Sequence, residues 1–170
     1  MTQLVNYNDI RDTFLNLLKA QNTTTADTYN ISTSLPVKIV TITDLDARVH
    51  KFMQSEYPVV SVVIDQKSTE NLKEFGNGKA SRELEVRFKV HCIYDSFSDT
   101  DRHLTTMVQN VEALVREKIA FNRYSVTNGT DRIRVRTVEP SKTDFKTLFS
   151  NEVPYNRSAA VEVAFVIDVT

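Results

Sequence analysis

One cysteine, Cys92, occurs in 170 residues, so no disulfide can close within the chain. That usage fits a reducing compartment. Glycine is nearly as scarce, with Gly76, Gly78 and Gly129 the only three. Loops that cradle phosphates need glycines at fixed spacing, and neither G-x-G-x-x-G nor G-x-x-x-x-G-K-[ST] is present. Charge of one sign is also missing: the formal net charge is −1. A domain whose main task is gripping nucleic-acid phosphates carries a clear positive excess, so that class is disfavoured. No apolar run approaches the ~20 residues that cross a bilayer. Residues Met1–Asn8 lack the basic and then apolar pattern of a secretory signal, so no secretory route and no membrane partner are expected. The sequons at Asn22, Asn30, Asn128 and Asn156 then read as chance.

Catalytic and metal-binding signatures are absent as well. His50, His91 and His103 stand apart, and none has a second His, Cys or acid at a metal spacing such as H-E-x-x-H. No G-x-S-x-G elbow exists. The expectation is a protein that is not an enzyme, with no catalytic residues, no metal and no cofactor.

What is present is the makeup of an ordinary globular chain. With 41% apolar and 25% charged residues, residues 1–170 are expected to form a single domain with a real core. A helix is predicted over Asp9–Ala20, capped by Asn8, because Ile10, Phe14, Leu17 and Leu18 make one apolar stripe. A second is predicted over Asp101–Ala120. There Leu104, Met107, Val108, Val111, Leu114, Val115 and Ile119 fall within an arc of roughly 140°. Glu112 and Arg116 are an i,i+4 pair on its wet side. Ser98 with Asp101 suggests the cap.

Strands are predicted at Val37–Ile42, Val59–Ile64 (entered through Tyr57-Pro58), Glu83–Tyr94, Arg132–Val138 and Ala159–Val169. The clearest is Glu83–Tyr94. Leu84, Val86, Phe88, Val90, Cys92 and Tyr94 alternate with Glu83, Glu85, Arg87, Lys89, His91 and Ile93, the period of a strand with one buried face. Residues 21–35, 65–82 and 139–157 are polar and predicted as long loops. Several strands show one wet face, which favours an α+β fold: a mixed, mostly antiparallel sheet with two main helices packed on one side.

Few residues carry chemistry in this frame. Cys92 alternates into the apolar face and reads as a small hydrophobe. His91 falls on the charged face, as a solvated or interface histidine. His103 lies early in the second helix, where a helix N-terminus disfavours imidazolium. Glu83 and Glu85 point the same way but are followed by Arg87 and Lys89, a pattern that suits ion pairing between chains or simple solvation. Arg132, Arg134 and Arg136 form a basic stripe. It either meets an acidic partner or phosphate, or pairs across strands with Glu162 or Glu85.

The order of elements resembles the tail-terminator and neck (head-to-tail joining) proteins of tailed bacteriophages. The similar features are the amphipathic helix of Ile10, Phe14, Leu17 and Leu18, the apolar strand Val59–Ile64 behind Tyr57-Pro58, a polar excursion, the long strand Glu83–Tyr94, the helix Leu104–Ile119 and the closing strands. The resemblance implies a structural virion protein. Such subunits form rings, commonly hexameric, that cap the tail tube protein and join it to the head connector and other neck proteins, and genomic DNA passes through the lumen without sequence-specific recognition. On that reading Glu83, Glu85, Arg87, Lys89, Arg132, Arg134 and Arg136 are candidates for subunit contact. The alternative is a small cytoplasmic binding module that uses Arg132, Arg134 and Arg136 on nucleic acid or an acidic protein. A third reading is an enzyme whose site lies in loops 65–82 and 139–157 and is not written as a motif.

Overall fold

Period-two alternation around residue 90 produces the strand on which the rest of the sheet is built. The computed structural model describes residues 6–22, 30–37, 39–67, 71–74, 80–95, 100–119, 125–128, 131–145 and 156–169. Among them the strands are β1 (Thr41–Thr43), β2 (Val59–Lys67), β3 (Asn71–Glu74), β4 (Ala80–Asp95), β5 (Ser125–Asn128), β6 (Asp131–Phe145) and β7 (Asn156–Val169). They form one sheet in the order β1-β2-β4-β7-β6-β5, with β3 also paired to β4. Only β1 and β2 run parallel; every other pair is antiparallel. The longest pairing joins β4 to β7, from Arg82 opposite Val169 to Asp95 opposite Asn156. The fold is therefore α+β with a mixed, mostly antiparallel sheet.

Two helices cover one face of it. α1 spans Tyr7–Ala20, and its cap is Asn6 in place of the expected Asn8: the Asn6 side chain accepts the Asn8 N–H at 3.1 Å. α2 spans Thr100–Leu114 and runs on into a π-helical turn, Val115–Ile119. Ile10, Phe14 and Leu18 of α1 and Leu104, Met107, Val108, Val111, Leu114 and Val115 of α2 are buried against Val60 and Val62 of β2, the row Val86–Tyr94 of β4, and Ala159–Phe165 of β7. Phe14, Phe88 and Phe165 meet at the centre, with ring centroids 4.9–5.6 Å apart. Tilted and edge-on aromatic contacts of this kind add about 0.5–1.5 kcal/mol each beyond the area they bury. The expected Glu112–Arg116 pair is replaced. Glu112 is half-buried and accepts the Thr143 hydroxyl, which ties α2 to β6.

The polar stretches depart most from expectation. Within 65–82, β2 continues to Lys67, β3 follows, and β4 begins at Ala80. β2 and β3 lie along the same edge of β4, from Val59 opposite Ile93 to Glu74 opposite Ala80, so the described part of the excursion extends the sheet. Backbone pairing defines these strands, and residues 65–71 carry no apolar period to announce them. Within 139–157, β6 continues to Phe145. Pro140 sits beside a register shift between Pro140 and Lys142, the kind of place where a strand tolerates proline. Residues 146–155 lie outside the described residues, as do Ser98 and all of 23–29. The expected strand Val37–Ile42 is only the short β1.

Candidate interaction surface

The face of the sheet away from the helices is built from the other set of alternating residues. On β4 these are Glu85, Arg87, Lys89, His91 and Ile93, flanked by Val59, Ser61 and Val63 of β2 and by Ser158, Ala160 and Glu162 of β7. The sequence alone leaves this face either to solvent or to contact with another chain. Segment 44–57 folds over one end of it instead. Ala47 and Phe52 pack with Val59, Ile93 and Tyr57 in a second apolar cluster. Ser61, fully buried, fastens the segment: its hydroxyl donates to the Leu45 carbonyl at 2.5 Å and accepts the Ala47 N–H at 3.3 Å. As a result Ile93 is buried and His91 is only 3% exposed. His91 is therefore a buried histidine, not the solvated or interface residue expected from its place in the alternation.

The charges on this face close on one another within the chain. Arg87 donates to Glu85 and, at 2.7 Å, to Glu162 of the neighbouring strand. These carboxylates, Glu85 foremost, hold the Arg87 guanidinium above its ordinary pKa. Lys89 pairs with Asp65 at 3.0 Å. Arg48 of the covering segment grips Asp46 through Nε and Nη2 at 2.8–3.1 Å. That hydrogen bond lowers the Asp46 carboxyl and raises Arg48.

For the remaining sequence candidates the backbone register gives the placement, and their side chains lie outside the described residues. Glu83 is opposite Asp168, which is in turn opposite Arg134. Arg132 is opposite Thr127. Arg136 falls in a register shift between Val135 and Thr137, so the regular alternation of the three arginines is broken there. Glu162, one partner expected for that stripe, is instead in register with Lys89 and Lys142 and binds Arg87. Asp168 is the acid that the register brings to Arg134.

A feature that sequence reasoning missed lies on the covering segment. The exposed large hydrophobic side chains among the described residues are Ile39, Leu45, Val49, Met53 and Phe145, so four of the five fall between residues 39 and 53. Val49 and Met53 are 82% and 73% exposed. Leu45, Val49 and Met53 are spaced four apart, a helical stripe on paper, but the chain there makes turns and a short 3₁₀ helix, Gln54–Glu56. Ile39 precedes and Leu45 follows β1, which pairs with β2 on one side and, among the described residues, ends the sheet on the other.

Among the described residues no group of His, Cys, Asp and Glu is placed to hold a metal ion, and no helix is long and apolar enough to cross a membrane. No protein-family model and no curated protein matches the sequence.

Proposed function

We propose that the protein is a structural virion assembly subunit of the tail-terminator or neck type, forming a ring that caps a tail tube and joins it to a head connector. The observation that carries the reading is the concentration of exposed apolar side chains on residues 39–53, beside a sheet edge. Exposed apolar patches on small proteins mark interaction sites, and unpaired strand edges invite further pairing. A ring closes through heterologous contacts, each copy presenting one patch to a different patch on the next. A net charge of −1 suits a lumen that lets DNA pass without holding it. The order of elements supports the same reading through its resemblance to phage neck and tail-terminator proteins.

Native mass measured over a range of concentrations, followed by negative-stain electron microscopy, tests the proposal. Concentration-dependent oligomers and ring-shaped particles, hexameric by the resemblance, are expected. A chain that stays monomeric at high concentration and fails to cap purified tail tubes overturns it.

A further inference from the structure

A cavity of about 140 Å³ opens beside His91, lined by Arg48, Lys89, His91, Asp144, Ser158, Ala159 and Ala160. His91 is buried to 97%, the complement of its 3% exposure, yet neither ring nitrogen has a hydrogen-bond partner among the described residues. A buried polar group is normally paired, by protein or by something bound. The rest of the lining indicates what that something is. Three N–H-bearing groups, on Arg48, Lys89 and His91, face one carboxylate, Asp144, which Lys142 already holds at 3.1 Å. Arg48 spends Nε and Nη2 on Asp46, and Lys89 pairs with Asp65, but a guanidinium has five donors and an ammonium three. Among the described lining side chains the three nitrogen-bearing groups outnumber the one carboxylate, and Ser158 adds a hydroxyl that can donate or accept.

We propose that this cavity binds a small oxyanion, a carboxylate or tetrahedral group such as sulfate or phosphate, with His91 as its innermost donor and Arg48 and Lys89 closing over it. Among the described residues the charged groups around His91 are Asp46 and Arg48 of the covering segment, Asp65 of β2, Lys89 of β4, and Asp144 of β6 with the Lys142 that pairs with it, while β7 lines the cavity with Ser158, Ala159 and Ala160. These charges cancel in pairs, so an imidazolium is the net charge that the anion neutralises. Within the chain itself burial, with Arg48 and Lys89 adding, lowers the His91 pKa. Filling the site reverses that direction, because a nearby opposite charge favours the charged form. Anion binding is thus coupled to proton uptake and strengthens as pH falls.

Carbon-13 NMR of labelled histidine tests this on the whole chain. The signals of His50 and His103, which do not line the cavity, serve as internal reference. Sodium sulfate or sodium acetate, compared with sodium chloride at equal ionic strength and at dilute protein, is expected to raise the His91 titration midpoint by about one unit. Arg48→Gln and Lys89→Met, both outside the core, are expected to remove most of that rise. A rise that follows protein concentration and not added anion assigns the oxyanion to a carboxylate of a second copy. No rise in either arm, or a rise that both variants leave intact, overturns the proposal and leaves a cavity that holds only water.

Discussion

Cys92 lies fully buried on the helix-covered face of β4, and burial, aided by the negative charge of Glu112, pushes its thiol up to about 12. Alkylation needs the thiolate and a path to it, and here both are missing. Iodoacetamide at pH 8 is expected to leave the native protein unlabelled and to modify Cys92 fully in denaturant. Fast labelling of the native state contradicts this placement. One strand position away, His91 makes stability depend on pH. Its folded pKa lies below the unfolded value of about 6.5, because burial disfavours the imidazolium. As pH drops below about 6.5 the unfolded chain takes up the proton first, so stability is full above that pH and falls from there toward the folded pKa. Denaturant midpoints measured from pH 7.5 to 5 should decline, and His91→Gln, which titrates nowhere in this range, should flatten the part of the decline due to this group. An unchanged profile in the variant assigns the decline elsewhere. The apolar assignment of Cys92 was legible from period two alone. The burial of His91 was not, because alternation shows which face a residue shares but not what lies over that face.

At the scale of elements, side-chain amides and one aromatic cluster do much of the joining. Asn22, just past α1, donates to the Val40 carbonyl at 2.5 Å and accepts the Val40 N–H at 3.0 Å, copying a strand pairing with a side chain. Asn110 of α2 donates to the carbonyls of Ile31 and Thr33, both at 2.8 Å. Asn22→Ala strands two backbone groups at a part-buried site, so a loss of about 1–3 kcal/mol in chemical denaturation is expected. Phe14→Ala, at 0% exposure among Phe88 and Phe165, should cost about 3–5 kcal/mol. A Phe14 variant that loses less than Asn22→Ala shows a core able to collapse around the gap. Helices and central strands were readable because a single buried face imposes a period on Phe14, Leu18, Val86 or Val163. The β3 strand, the β2 extension and the second half of β6 were not, since backbone pairing makes them and Pro140 argues locally against a strand. The cap at Asn6 escaped because Asn6 and Asn8 are equally good capping residues, and only the turn geometry chooses between them.

For the whole molecule, the two candidate contact surfaces predict different outcomes. The charged row of β4 was legible as a possible subunit contact from its order of acids then bases. In the folded chain Arg87 already binds both Glu85 and Glu162, and Lys89 holds Asp65. A pair of partners from the next subunit would have to displace bonds already made, for little gain, as exposed ion pairs contribute about 0–1 kcal/mol. The exposed Val49 and Met53 have no such competitor, and their removal from water on assembly is favourable at roughly 25 cal/mol per Å². Glu85→Lys is therefore expected to leave the proposed oligomer intact, whereas Val49→Asp combined with Met53→Asp should shift it to monomer with an unchanged thermal midpoint at dilute protein. Both can be read by light scattering across a dilution series. The reverse outcome, oligomers lost in Glu85→Lys and kept in the double variant, moves the contact to the charged row. It also means that the intrachain pairs around Arg87 open when a neighbour arrives.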